Sequence, residues 1–141
     1  MTLSRRNLAA ILPALLAGAN RAAAAEVLPS MAINGEDLPV RESPASRQRR
    51  FLDGLTHDSF PIEIHETQLP PRGAPHPPHR HAHEELAIVR EGSLEVSLEG
   101  QEMKIVSVGG LVYVASNRMH GWKNAGDTRA SYFVIALGRK A

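Results

Sequence analysis

The alternation of apolar and polar residues from Phe60 to Leu137 predicts a series of short β-strands. The pattern is cleanest in Ser93–Leu98, where every second residue is apolar, as expected of a strand with one buried face. Similar apolar segments, separated by turns that often contain glycine, occupy residues 60–69, 86–90, 103–108, 111–115, 120–123 and 130–137. Strands at such short and even intervals predict an all-β fold, an antiparallel barrel or jelly roll.

The first 25 residues follow a different pattern. Paired arginines at positions 5 and 6 precede a modestly apolar run, Leu8–Ala19, and small residues end at Ala25. This order predicts a signal peptide that is cleaved near Glu26, and the apolar run is too short to span a bilayer comfortably. The alternative is an amphipathic helix that belongs to the fold. It is disfavoured because Pro13 interrupts the run and no polar face recurs at helical spacing.

The segment Ser4-Arg5-Arg6-Asn7-Leu8 resembles a twin-arginine export signal. The resemblance implies that a bacterial cell exports the folded protein, so the mature chain is expected to be periplasmic or secreted. A protein that folds before export can acquire its metal in the cytoplasm, away from the competition among metals outside.

Residues 26–59 are predicted to form an irregular N-terminal arm that contains at most one short strand, because Pro29, Pro39 and Pro44 interrupt a polar sequence. The basic stretch Arg47–Arg50 is short and isolated, so a solvated face or an intersubunit ion pair is favoured over a polyanion site. The predicted organisation is therefore a signal peptide at 1–25, an arm at 26–59 and one barrel at 60–138.

Composition supports a single domain and excludes several functions. A chain of 141 residues, 43% of them hydrophobic, is long enough for one core. Removing Arg5, Arg6 and Arg21 from the 16 basic residues leaves 13 against 15 acidic ones, a net charge of −2. A near-neutral chain gives no electrostatic reason to expect nucleic acid or an anionic membrane as a partner. After cleavage of the signal peptide, no stable membrane anchor is expected. Because the chain has no cysteine, disulfides and thiolate metal sites are excluded.

Histidines are concentrated immediately before the strand at residue 86. Four of the seven fall in the run His76-Pro-Pro-His79-Arg-His81-Ala-His83. In an extended chain alternate side chains share a face, so His79 and His81 project together while Arg80 points away. Glu85 is in phase with them, and His120 can close the site from a distant strand. Three imidazoles and a carboxylate suit divalent Fe, Mn, Ni, Cu, Co or Zn, and suit Ca²⁺ or Mg²⁺ poorly.

These residues resemble the two motifs of the cupin superfamily. The fixed positions of the first motif are matched by Gly73, His79, His81, Glu85 and Gly92, and those of the second by Gly109, His120 and Asn124. Ala115 and Asn117 stand where the second motif usually has proline and glycine. Asn117 tolerates a left-handed backbone and so can replace glycine. The resemblance implies a small double-stranded β-helix (jelly-roll) barrel in which His79, His81, Glu85 and His120 bind one divalent transition metal ion.

Several assignments stay open at this stage. The four motif residues are alternatively hydrogen-bonded core groups of a barrel that has lost its metal. His83 is either a ligand in place of Glu85 or an exposed neighbour, and His76 is either a surface residue or part of a lid. Trp122, Tyr113 and Phe133 are candidates to line a substrate pocket, or are plain core residues.

The resemblance implies two main classes of function. The first is a metal-dependent enzyme acting on a small molecule, of the dioxygenase or oxidase type, with isomerases and lyases of the superfamily using the same ligands. The second is a non-catalytic module that binds a metal or a small molecule. A metal-free sugar epimerase is a third possibility. No general acid or base stands out, and His76, Tyr113 and Arg90 are candidates by proximity alone. Barrels of this kind commonly pair by exchanging N-terminal strands, so a homodimer is expected.

Overall fold

The computed structural model describes residues 27–138, so the predicted signal peptide lies outside the described residues. The chain forms nine strands after a short 3-10 turn at Gly35–Asp37: β1 Arg41–Glu42, β2 Arg47–Leu55, β3 Pro61–Leu69, β4 Glu84–Glu91, β5 Ser93–Leu98, β6 Lys104–Ser107, β7 Leu111–Val114, β8 His120–Asn124 and β9 Ala130–Leu137. Within residues 27–138, no helix has the length and apolar character needed to cross a membrane.

The strands form two antiparallel sheets. One has six strands in the order β1-β2-β3-β9-β4-β7, and the other has three in the order β6-β5-β8. The buried core contains side chains from both sheets, among them Leu69, Val89, Leu94, Trp122 and Tyr132. The all-β prediction is therefore confirmed, and the strands predicted between residues 60 and 137 are all present with ends shifted by a few residues.

The arm is more regular than its sequence predicts. In place of one short strand the structure has β1 and the nine-residue β2, which pairs with β3 of the same chain and extends the sheet to residues before 60. Residues 47–55 lack alternating apolar positions, and their register is instead supported by ion pairs. Arg49 lies 3.5 Å from Glu66, and Arg50 Nε lies 3.4 Å from Glu63, so these basic residues form ion pairs within the chain.

Asn117 has the left-handed backbone that its place in the second motif predicts, with φ of 58°. Its backbone N–H donates to the carbonyl of His81 at 2.8 Å. The turn before β8 is thereby attached to the histidine segment, and the two halves of the candidate site are held at a fixed separation.

Candidate metal centre

Three imidazoles converge at one end of the barrel. His120 opens β8, and His79 forms an isolated antiparallel bridge with it in which each backbone N–H donates to the other carbonyl at 2.9 Å. Residues 79–83 show the predicted alternation, since Arg80 and Ala82 are exposed while His79, His81 and His83 are partly buried. One nitrogen from each of His79, His81 and His120 lies within 4.8 Å of the other two.

Backbone carbonyls fix the tautomers of two of these imidazoles. His81 Nδ1 lies 2.8 Å from the carbonyl of His83, and His120 Nδ1 lies 2.9 Å from that of Arg118. Because a carbonyl only accepts hydrogen bonds, each Nδ1 carries the proton. In the neutral ring each Nε2 then has a free lone pair, which is the form in which histidine binds metals.

Glu85 joins the group through His81. Its side chain is only 11% exposed, and its Oε2 lies 3.1 Å from His81 Nε2. Two donors that bind one ion at about 2.1 Å and roughly at right angles are about 3 Å apart, so this separation suits adjacent ligand positions. Glu84, the neighbour that is out of phase, instead interacts with the exposed Tyr113 and raises the pKa of its phenol.

The donor set fits a divalent transition metal ion. Among residues 27–138, His79 Nδ1 and His120 Nε2 are buried without a hydrogen-bond partner, and a buried unpaired polar atom is costly unless something binds it. The site is free of cysteine and has one carboxylate, so borderline metals that prefer nitrogen and oxygen are favoured over Mg²⁺ or Ca²⁺.

His79 is held in its neutral form. Burial, followed by the neighbouring His76, His120 and other imidazoles, lowers the pKa of His79 from 6.5 to about 4. A histidine that stays unprotonated at pH 7 keeps its lone pair available for a metal without first losing a proton.

His83 belongs to a second, overlapping group with His81 and Glu85. Its ring is stacked on that of His81, with centroids 3.6 Å apart and an interplanar angle of 5°. Its Nε2 lies 3.7 Å from Glu85 Oε2. Of the histidines in the run, it is therefore the one in direct contact with both His81 and Glu85.

The predicted pocket residues separate into two sets. Trp122 is buried beside His120, with ring centroids 5.6 Å apart. The exposed His76 packs edge-on against His79 at 4.2 Å and lines a groove of about 640 Å³ between the proline-rich segment and the outer face of β5 and β8. Tyr113 and Phe133 do not line the barrel interior, although Phe133 lines a groove on the outer face together with Phe51 and Arg90. Each is flanked by buried residues of the opposite phase, so both point to the outer face of the six-stranded sheet.

Sequence reasoning missed Tyr132, which is 1% exposed and packs edge-on against Trp122 with centroids 5.8 Å apart. Burial raises the pKa of its phenol, so Tyr132 stays a neutral hydrogen-bond donor at any physiological pH. Ala130, Val134 and Ala136 are buried in the same phase of β9. The alternation of these small apolar residues in the sequence therefore predicts that Tyr132 points inward and Phe133 outward.

Asn124, the last residue of the second motif, has a structural role. It is fully buried, and its amide nitrogen donates to the carbonyls of Pro70 and Thr128 at 2.9 and 2.7 Å. Its Oδ1 accepts from the N–H of Gly126 at 2.9 Å. These bonds fix the loops at the end of the barrel that is closed by the β8–β9 turn.

Several solved structures share this fold. KdgF from Halomonas sp. is 20% identical, with a TM-score of 0.66 over 78% of this chain and 95% of that one. The polyketide cyclase RemF from Streptomyces resistomycificus is 18% identical, with a TM-score of 0.61 over 79% and 82%. An oxalate oxidase solved with the substrate analogue glycolate is 24% identical, with a TM-score of 0.57 over 68% and 53%.

No curated protein sequence matches the chain. The family model of the cupin domain matches residues 65–136, which include every residue of the converging donor group, the whole three-stranded sheet, and β4, β7 and most of β9 of the six-stranded sheet. That match covers half of the chain and agrees with the jelly-roll neighbours. The chain belongs to the cupin domain family.

Proposed function

We propose that this protein binds one divalent transition metal ion through His79, His81, Glu85 and His120 and is a metal-dependent enzyme, of the oxidase or dioxygenase type, acting on a small molecule. The observation that carries the proposal is the convergence of three imidazoles, two of them with Nδ1 proton positions fixed by carbonyls, beside a buried carboxylate. Four protein donors leave at least one coordination position open on a five- or six-coordinate ion, as a catalytic metal requires.

The chain's own residues prepare this site in three ways. The carbonyls of His83 and Arg118 orient two imidazoles, and the bridge between His79 and His120 holds their backbones together. Trp122 excludes water below the donor group, since it is only 6% exposed. When bound, the ion supplies Lewis acidity and, if it is redox-active, electron transfer.

The relatives support a small-molecule reaction without selecting one. Their names describe an oxidase and a cyclase, and at under 25% identity they share the fold alone with this chain. The oxidase type is proposed because the nitrogen and oxygen donors suit redox-active Fe, Mn or Cu as well as Zn.

Oxygen consumption tests the catalytic part of the proposal. Protein reconstituted separately with Fe(II), Mn(II), Cu(II) and Zn(II) is assayed against phenolic, thiol and dicarboxylic substrates in an oxygen electrode. Uptake with at least one redox-active metal, and none with Zn(II), is expected. Stoichiometric metal binding with no uptake across the panel would instead favour the alternative, a non-catalytic module.

We also propose that the protein is exported as a folded, metal-loaded chain to the periplasm or beyond. The support is the twin-arginine pattern in the first 25 residues. Mass spectrometry of the protein from the periplasm of a bacterium with the twin-arginine pathway should give a mature chain beginning near Glu26. Full-length protein confined to the cytoplasm would contradict export.

A homodimer is proposed on the outer face of the six-stranded sheet. Cross-strand pairing aligns five apolar side chains in one row across that face: Tyr113, Leu86, Ile135, Ile64 and Leu52. Tyr113 is 49% exposed and the other four are only partly buried, whereas antiparallel sheets usually present polar residues to water. A second copy would bury the row by two-fold symmetry.

A further inference from the structure

His83 touches two of the proposed ligands in three different ways. Its backbone carbonyl accepts the Nδ1 proton of His81 at 2.8 Å, and its ring is stacked on the His81 ring at 3.6 Å. Its Nε2 lies 3.7 Å from Glu85 Oε2, which is beyond hydrogen-bond length but close enough for an electrostatic contact. The side chain is 14% exposed, so these contacts are shielded from solvent.

The stacked geometry is incompatible with His81 and His83 binding the same ion. An imidazole binds a metal along a lone pair that lies in the plane of its ring. With the two planes within 5° of parallel and the rings face to face, the two lone-pair directions run side by side and do not converge. An ion on the axis of His81 Nε2 therefore lies well outside the plane of His83.

We propose that His83 is a positioning residue that holds His81 and Glu85 as one preformed edge of the metal site. The inference rests on the proposed metal function. The stacked ring restricts rotation of the His81 imidazole about its side-chain bonds. The Nε2 of His83 keeps the carboxylate of Glu85 beside His81 Nε2.

The contribution of each contact can be separated by substitution. His83→Phe keeps a flat ring that can stack but removes the nitrogen beside Glu85. His83→Gln keeps an N–H donor but removes the ring, and His83→Ala removes both. The carbonyl that fixes the His81 tautomer is part of the backbone and is retained in all three variants.

The test uses Cu(II) as the probe, with the full mature chain. The dissociation constant is measured by competition with a chelator, and electron spin echo envelope modulation counts the coordinated imidazoles. Residues that orient metal ligands typically contribute about 10- to 100-fold in affinity. We expect His83→Ala to weaken Cu(II) binding by about that factor and His83→Phe and His83→Gln by less. All three should keep the wild-type imidazole count, whereas His81→Ala should lose one.

His57→Ala is the matched control, since His57 is exposed in the turn between β2 and β3 and should bind Cu(II) like the wild type. Two results would overturn the positioning role while leaving the metal proposal intact. One is an affinity of His83→Ala equal to that of the control. The other is the loss of one coordinated imidazole in His83→Phe, which would make His83 a ligand. A wild-type protein that binds no Cu(II) would overturn both proposals.

Discussion

The backbones of His79 and His120 exchange two hydrogen bonds of 2.9 Å, so two proposed ligands that are distant in sequence are joined by the fold itself. Their rings lie 4.6 Å apart between centroids. Because main-chain pairing supplies the energy of this antiparallel bridge, we expect it to form whether or not a metal is present. The donor group is therefore expected to be preorganised, and metal binding should cost little conformational entropy.

Removing the metal should consequently leave the fold intact while lowering its stability. A ligand that binds only the native state, at a free concentration of about 100 times its dissociation constant, raises the free energy of unfolding by about 2.7 kcal/mol. For a domain of this size this corresponds to a Tm shift on the order of 10 °C. Circular dichroism before and after treatment with a chelator should give superimposable far-UV spectra and a lower Tm. Loss of the β-sheet signal on chelation would show that the metal is required for folding.

The stability of the metal-free protein should depend on pH through His79. The pKa of this imidazole is lowered to about 4 by burial and by neighbouring histidines, whereas an unfolded histidine titrates near pH 6.5. Between these values the unfolded state binds more protons, so stability is complete above about pH 6.5 and falls as the pH drops towards 4. The free energy of unfolding of the chelator-treated protein is measured by urea titration at several pH values. Between pH 4 and 6.5 it should depend less steeply on pH in His79→Asn than in His57→Asn. Equal slopes would contradict the assignment.

The two tyrosines should differ in how much stability is lost when the hydroxyl is removed. Tyr132 is buried, and its hydroxyl interacts with Thr67, so Tyr132→Phe should lower the free energy of unfolding by about 1 kcal/mol. Tyr113 is 49% exposed, and its contact with Glu84 lies at the surface, so Tyr113→Phe should change it by less than about 0.5 kcal/mol. Urea titration of both variants measures the difference, and the reverse order would disprove the placement of these side chains.

The apolar row on the outer face should determine the oligomeric state. Ile135 lies at its centre, between Leu86 and Ile64, so a charge there would be buried in a dimer. Light scattering should find wild type dimeric and Ile135→Glu monomeric. Ile105→Glu, on the exposed face of β6 in the other sheet, is the control and should remain dimeric. A wild-type monomer, or a dimeric Ile135→Glu, would contradict the proposed interface.

The strands of the barrel could be predicted because their apolar positions alternate, and the donor group could be predicted because extended geometry and motif spacing select the same residues. Asn117 also behaves as predicted, since asparagine tolerates a positive φ better than most residues. The nine-residue β2 could not be predicted in this way, because its register depends on long-range ion pairs such as Arg49 with Glu66.

Side-chain orientation within a predicted strand depends on phase. The buried residues Ala130, Val134 and Ala136 fix the inward phase of β9, so Tyr132 points into the barrel and the pocket candidate Phe133 points to the outer face. The contact between His83 and His81 could be predicted only in part. Period-two reasoning puts His83 on the same face as His81, but only the structure reveals that the two rings stack.

The metal content of His81→Ala is the most direct test of the central claim, because His81 belongs to both donor groups. Elemental analysis of protein purified under identical conditions should find about one transition metal ion per chain in the wild type and in His57→Ala. His81→Ala should contain far less than one ion and keep a wild-type far-UV spectrum. Unchanged metal content in the folded His81→Ala variant, or a metal-free wild type from its exported form, would contradict the account.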